Sequence, residues 1–531
     1  MEEPELILAH DLGTSSNKAA LVTPRGQVVA TAASSYPLIH PAPGWAEQDP
    51  RAWWDAVVRT SREALERAGA APSRVVALAF SGQMMGTVPV DDRGEPTTNA
   101  LSWLDTRSAP QARKLVRGLV KVAGYGVVRA LKWLRITGGG PNLAGKDPTS
   151  QMVWIREERP DAWVATHKFL ATKGYLVFRA TGEFVMTRDN AHVTWLADTR
   201  KGQVTWSPSL LKLTGIPREK LPRIVACTDV VGSLTPEAAS ELGLLEGTPV
   251  VGGAADIPSA AVGAGAVREG DAHLYVGTSD WIGVHASRRT ASPSTATGAI
   301  WGAHPNLLLA IAEQETAGGC LEWLREHLYH GDEAARLAGL DSAHQLFDQL
   351  ASKSPAGAGG VTFLPWLFGE RVPVSDHAAR GGFLNLSLST RREDLVRSVL
   401  EGVALNVRWA LLAVEKFLKT NLPTLKFVGG GAKSEVWCQV FADVTGKRIL
   451  RVREPQHAGA RGVALLASFA LGRVRPFESI EQAVPVDQAF DPDASARRMY
   501  DERFRAFRSF YAKWTRKHSK QILRTRGLKF N

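Results

Sequence analysis

Two short turns about half the chain apart constrain this fold more than any other feature. Asp11-Leu-Gly-Thr-Ser-Ser-Asn-Lys18 follows the apolar run Leu6-Ile-Leu-Ala9, and Gly277-Thr-Ser279 follows His273-Leu-Tyr-Val276. A strand that ends in Gly with small hydroxyls presents backbone N–H groups and Oγ atoms that approach phosphate oxygens without steric cost. Two such turns let a nucleotide be gripped from both sides of a cleft between duplicated α/β domains. Neither is a Walker loop, because Gly-Lys followed by Ser or Thr is absent from that setting. Asp11 suits a Mg²⁺ shell, since the hard ion takes carboxylate and water oxygens. Each turn alone also fits an ordinary β-turn with glycine; their repetition is what favours a nucleotide.

Composition narrows the class. The 531 residues are 44% apolar, enough for a substantial core. Cys227, Cys320 and Cys438 lie far apart with no CxxC spacing, which favours a reducing compartment and no structural zinc. The start, Met1-Glu-Glu-Pro-Glu5, is acidic and carries no signal-peptide pattern, and no apolar run approaches the ~20 residues that span a bilayer. The expected location is cytoplasmic. Residues 497–531 hold twelve Lys/Arg against Asp501 and Glu502, a net +10 that leaves only +1 of the chain's +11 for everything before. The body is therefore near neutral, which argues against a nucleic-acid protein. The tail from 491 to 531 interleaves Phe504, Phe507, Phe510, Tyr511 and Trp514 with its cations. It reads either as a final helix docking aromatics on the body or as a contact for an anionic surface. A second basic stretch, Arg113 to Arg135, has seven Lys/Arg and no acid, and is expected to be an amphipathic surface helix broken near Gly124 and Gly126.

Along the chain, the opening strand continues into a meander through Lys18–Val22 and Val28–Thr31. A helix is expected from Asp49-Pro50 to about Ala68, because Asp is a good cap and Pro a good first residue. Val75–Phe80 is a buried strand ending in Ser81-Gly-Gln-Met-Met-Gly86, at the sheet edge where open α/β folds place ligands. Thr137–Pro148 and Ala351–Gly360 are expected to be surface loops. Strand Pro249–Gly253 leads through Ala254-Ala-Asp256 to a small-residue helix, Pro258–Gly265. Helices Arg391–Lys419 and Ser434–Thr445 bracket strand Lys426–Val428, and a further helix spans Arg461–Ala470. The expected domains are 1–260, 261–490 and the tail 491–531.

Three places carry chemistry. Gly429-Gly-Gly-Ala-Lys-Ser434 joins a strand to a helix, and its glycines allow close approach of a ring or phosphate, or simply tight packing. Asp256 ends an apolar strand among small residues with no adjacent cation. Facing a cleft, it could take a proton from an attacking hydroxyl; equally it could cap the helix that follows. Trp103-Leu-Asp-Thr-Arg107 offers a ring for a sugar or polyol face, although a packing role fits as well.

Taken in order, Asp11–Ser15, Ser81-Gly-Gln-Met84, Trp103–Arg107, Gly252-Gly-Ala-Ala-Asp256, Gly277–Ser279, Gly369-Glu-Arg-Val-Pro373 and Gly429–Ser434 resemble the FGGY carbohydrate kinases, with the xylulokinase branch the most similar. The resemblance runs from about Leu6 to Gly472. It implies an α/β protein of two actin-like (ribonuclease H-like) domains around a central cleft, with transfer of the ATP γ-phosphoryl to a sugar hydroxyl. By position it implies Asp11 as the Mg²⁺ ligand. Gly13, Thr14, Ser15, Lys18, Gly277 and Thr278 would hold phosphates, and Gly430, Gly431, Ala432 and Ser434 the adenosine. Asp256 would be the general base, with Gln83, Met84, Met85, Trp103 and Asp105 as the sugar wall. Partners are then ATP and a small sugar or polyol, with a homodimer left open.

Two departures bear on the sugar. Xylulokinases read Gly-Gln-Met-His where this chain has Gly82-Gln-Met-Met85, and Asp-Asn where it has Asp256-Ile257. A thioether and an aliphatic side chain remove polar contacts that discriminate between substrates, so a different or deoxygenated pentulose, or another polyol, is expected. Glycerol-type kinases and a non-transferring actin-like ATPase or sugar-responsive regulator share the phosphate turns and stand as alternatives.

Overall fold

The computed structural model describes residues 4–122, 124–200, 204–288, 291–292, 297–515 and 517–518. Its frame is two mixed sheets built on one plan. In the first, β1 (Leu6–Leu12) pairs antiparallel with β2 (Ser16–Val22), which pairs antiparallel with β3 (Val28–Ser35). On its other side β1 runs parallel to β4 (Val75–Gly82), which runs parallel to β6 (Pro249–Ala255); β5 (Val230–Ser233) closes that edge antiparallel. The second sheet repeats the pattern. Strand β7 (Ala272–Val276) pairs antiparallel with β8 (Asp280–Ala286), and β8 with β11 (Leu308–Gln314). Parallel to β7 lie β12 (Thr424–Val428) and then β13 (Arg448–Val452). Strands β9 (Ala291–Ser292) and β10 (Thr297–Trp301) extend one edge and β14 (Val486–Phe490) the other. The turn at Gly13 joins β1 to β2 and the turn at Gly277 joins β7 to β8, so the two phosphate-loop candidates occupy equivalent corners of a duplicated fold.

Local chemistry explains the helices that cover these sheets. Helix α1 (Pro50–Ala68) starts where Asp49 accepts from the Arg51 amide at 3.0 Å and Pro50 fills the first turn; it stops at Gly69 in the left-handed region. Its buried stripe, Trp53, Trp54, Ala56, Val57, Thr60, Ser61, Ala64 and Leu65, has the 3–4 residue spacing of one helix face. The long α3 (Arg392–Leu418) and α4 (Glu435–Thr445) enclose the second sheet.

The domains meet at two crossed helices, α2 (Asp256–Gly263) and α5 (Ala458–Ala470). A Cβ at Gly263 would lie 1.8 Å from the Ala458 carbonyl, and one at Gly462 1.9 Å from the Ser259 carbonyl, so the crossing is backbone against backbone. A shared core runs through it: Ile7, Ala79 and Val251 of the first sheet pack with Val428, Val452 and Leu465. Polar ties add to this. Arg188 donates to the carbonyls of Gly302, His304 and Pro305, and the Trp301 amide donates to His192 Nδ1 at 2.9 Å.

Three expectations change, and the reading of the chain end is decided. The 113–135 stretch is not one helix: Ala109–Leu115 ends, a hairpin pairs Lys121–Val122 with Tyr125–Gly126, and a new helix covers Val127–Thr137. Glycine favoured reversal over a kink there. Thr137–Pro148 is not a surface loop, since Pro141, Gly145 and Asp147 are buried. A helix reaches Lys353, so the next loop starts later than Ala351. At the chain end the docked-helix reading holds within the described part. Helix α6 (Arg497–Phe510) and a following turn bury Tyr500, Phe504, Phe507 and Tyr511, with Phe507 and Tyr511 against Trp366 and Trp409. Arg516 and residues 519–531 lie outside the described residues, and with them most of the proposed anionic-surface contact. Among the described residues no helix is long and apolar enough to cross a membrane.

Gly263→Ala should destabilise the protein by at least ~1–3 kcal/mol, because the added methyl meets a carbonyl that only a helix shift can move. A lower urea midpoint with an unchanged m-value is the expected result.

Candidate active site

The first sheet and α2 deliver two carboxylates to one place. Asp11 is near the end of β1, paired across to Lys18 on β2 and flanked by Ser81 on β4. Asp256 follows β6 as the first residue of α2; the cap itself is Ala255, and Asp256 Oδ1 accepts from the Ile257 amide at 2.9 Å. Burial and the Asp11 charge push the Asp256 carboxyl up to about 8, with Glu313 adding to the effect. Burial also raises Asp11, opposed by the Lys18 ammonium. Asp11 lies against the start of α5, where a Cβ at Gly459 would be 2.3 Å from its Oδ2. A glycine there is what leaves room for the carboxylate.

Around Asp11 the cleft is cationic. Lys18 is exposed, and Lys433, His457 and Arg461 are close enough to be felt together: burial and the Arg461, Lys18 and Lys433 charges lower His457 to about 4. Arg461 is buried, donates to the Gly263 and Arg453 carbonyls, and leaves Nη2 without a partner among the described residues. On the first turn Gly13 donates to the Ser16 carbonyl, Thr14 is half-buried and Ser15 exposed. On the second, Gly277 donates to the Ser279 carbonyl at 2.9 Å and Thr278 is exposed. Gly430 faces open space, with nothing within 4 Å of a would-be Cβ. Gly431, by contrast, packs on Val276. Two further expected adenosine residues are otherwise engaged. Ala432 is fully buried, and Ser434 caps α4 by accepting from the Trp437 amide while donating to Asp348.

The sugar-side residues are wired to the first turn. Gln83 Nε2 donates to Gln48 Oε1 at 2.7 Å, Gln48 Nε2 to the Thr14 carbonyl at 2.8 Å, and Trp103 Nε1 to Thr14 Oγ1 at 3.1 Å. Met84 packs with Ile257, Trp281 and Tyr275, the last two stacked at 3.8 Å between centroids. Met85, with φ 68°, lines an apolar cavity with Met152, Phe169, Met186 and Asn190. Asp105 does not face the cleft. It is fully buried, accepts from the Ala46 and Arg107 amides and pairs with the Arg107 guanidinium at 2.7 Å. Its place is behind Trp103, holding the wall.

The sequence reading left out a cluster that the two domains assemble between them. Arg371 pairs with Glu313 and, at 3.2 Å, with Glu315; Lys146 Nζ stands 4.0 Å from Glu315 and His377 Nδ1 3.8 Å from it. Lys146 Nζ and Arg371 Cζ each lie 6.0 Å from the Trp103 ring centroid. The loop bearing Arg371 is fixed by amide–carbonyl bonds in both directions between Glu370 and Asp376. It is pinned from α6's end by the Tyr511 hydroxyl, which donates to Asp376 Oδ2 at 3.0 Å. Arg371 sat inside a recognised motif; Lys146 had only the Asp147-Pro148 cap beside it as a signal.

These groups fit a magnesium nucleotide. Cations and the start of α5 suit phosphates, and the Asp11 carboxylate is the kind of hard oxygen donor such an ion would take. Among the described residues no group of three or more His, Cys, Asp or Glu gathers for a metal.

Comparison with known proteins agrees with this architecture. Residues 6–263 match the N-terminal domain, and residues 272–471 the C-terminal domain, of the FGGY family of carbohydrate kinases. The chain is 30% identical to the xylulose kinase of Escherichia coli over 94% of its own length and 97% of that protein's. To the gluconokinase of Bacillus subtilis it is 27% identical, over 90% of each. The structure of a ligand-bound xylulose kinase from Lactobacillus acidophilus superposes with a TM-score of 0.83 at 26% identity, covering 97% of this chain and 99% of that one. The chain belongs to the FGGY family of carbohydrate kinases. It is an enzyme that phosphorylates a sugar hydroxyl with ATP.

Gly459→Ala should lower kcat/KM for Mg–ATP at least about tenfold, since the new methyl occupies the place of the Asp11 carboxylate. The urea midpoint should hardly move, because only the end of one side chain must swing aside.

Proposed function

We propose that the acceptor is a pentulose such as xylulose, that Asp256 is the general base, and that Asp11 holds Mg²⁺. The observation that carries the base assignment is the place of Asp256 at the head of α2, where burial and the Asp11 charge raise its carboxyl to about 8; similarity to xylulose kinases supports the pentulose. A base with that affinity for protons takes one readily from an alcohol as the alcohol attacks phosphorus. Oδ1 is engaged by the Ile257 amide, so Oδ2 is the atom that accepts the proton. Mg²⁺, when bound, neutralises charge on the β- and γ-phosphoryl oxygens. Lys18 and the open face of Gly430 orient the nucleotide, and the Gln83–Gln48–Thr14–Trp103 chain keeps the sugar wall in register with the first phosphate turn. Domain closure excludes water that would otherwise hydrolyse ATP. The three cysteines among the described residues are free and buried, in keeping with a cytoplasmic enzyme. Similarity to gluconokinases favours a sugar acid as the second reading.

Asp256→Asn should keep nucleotide binding and lose phosphoryl transfer to D-xylulose by several orders of magnitude; near-normal turnover would overturn the assignment. In the wild type, kcat/KM should rise about tenfold per pH unit and level off near pH 8.

The same carboxyl gives a stability signature. Its folded pKa lies above its unfolded value of about 3.9. Its favourable contribution is therefore complete below pH 4 and is lost as pH rises through about 8. Asp256→Asn should melt higher than the wild type at pH 8.5, and that advantage should vanish near pH 4.

A further inference from the structure

We infer that Lys146 and Glu315 form a two-sided receptor for one hydroxyl of a neutral sugar, so that Lys146 is a specificity-determining residue of this enzyme. The inference rests on the sugar-kinase reading above and narrows its substrate to the uncharged class. Lys146 comes from the first domain and Glu315 from the second, and their side chains are only 13% and 3% exposed. Both ends are fixed. Around Lys146 the Asn142 amide donates to Asp147 Oδ2 at 2.9 Å, the Ala144 amide to Asn142 Oδ1 at 2.8 Å, and Ser108 Oγ to the Gly145 carbonyl at 2.7 Å. Glu315 is held by Arg371 Nε at 3.2 Å.

The 4.0 Å between Lys146 Nζ and Glu315 Oε1 is too long for a direct hydrogen bond. It is the right span for an oxygen about 2.8 Å from each. That oxygen must accept from the ammonium and donate to the carboxylate, which a hydroxyl does and neither a carboxylate nor a methylene can. Charge points the same way. Arg371 and Lys146 are matched by Glu313 and Glu315, so no surplus cation remains in the cluster for a sugar acid. Trp103, beneath both cations, offers the ring face for the adjoining C–H groups.

The test uses the full-length protein with Mg–ATP, D-xylulose, its monodeoxy analogues and gluconate, on the wild type and on Lys146→Met, which keeps the aliphatic stem. Melting temperatures check that both proteins are folded. The variant should raise KM for D-xylulose about tenfold to a hundredfold and leave KM for ATP within about twofold. One deoxy analogue should be poor with the wild type and suffer no further loss with the variant, which a merely structural role for Lys146 would not produce. Gluconate should be a poor substrate for both. A variant with unchanged KM and an unchanged analogue pattern overturns the Lys146 role and leaves the kinase reading standing. A wild type that prefers gluconate overturns the uncharged-substrate inference and the pentulose reading together. A wild type that turns over none of these sugars removes the reading on which the inference rests, and the inference with it.

Discussion

Everything at the centre of this molecule depends on two helices, α2 and α5, that meet in backbone contact. Gly263 and Gly462 bring α2 and α5 to backbone contact, and Gly459 opens the space that Asp11 occupies. One crossing therefore joins the domains and places Asp11 beside Asp256, which begins α2. Burial first, and then the neighbouring Asp11 charge, raise the Asp256 carboxyl, which records the cost of holding both carboxylates there. The shared apolar core of the crossing offsets it. Function here draws on stability at the junction and not at the periphery, as expected where a site needs a group it would not otherwise hold.

The duplicated sheets set the proposed sugar-side and nucleotide-side residues at equivalent corners of the two domains. Strands β4 and β12 occupy equivalent places, each parallel to the first strand of its sheet. The residues after β4 include Gln83 and Met84, and those after β12 are the glycines 429–431. The same corner has diverged into a hydrogen-bonded row on one side and, on the other, a glycine turn that packs on Val276 and opens only at Gly430. Between them lie groups from both halves, Lys146 from the first and Glu315 and Arg371 from the second.

Local signals in the sequence were dependable where the chemistry was local. Asp49-Pro50 announced α1 because cap and first-turn geometry lie within two residues. The strand–glycine turns announced the duplicated fold because their spacing is short. Thr137–Pro148 was misread because proline and glycine report on backbone conformation and say nothing of what lies over the loop. Lys146 was missed for the same reason: its partner Glu315 comes from a distant strand, and only the completed fold sets them 4.0 Å apart. Asp105 went the other way. Its motif looked like a sugar contact, yet Arg107 and the Ala46 amide claim its oxygens. The aromatic chain end was readable as a docked helix from its spacing, but its contact with the Arg371 loop through Tyr511 and Asp376 was not. Met85 and Ile257 part company in the structure, one lining a cavity of the first domain and the other joining Met84, Tyr275 and Trp281.

The central claim is that phosphoryl transfer requires the sugar to complete the cleft. The most direct measurement is ADP release by the wild-type chain with Mg–ATP, with and without saturating D-xylulose. The account gives release that is stoichiometric with sugar phosphate and at least about a hundredfold faster with the sugar than without it. Equal rates in the two conditions would contradict it and make the protein an ATPase that ignores the sugar.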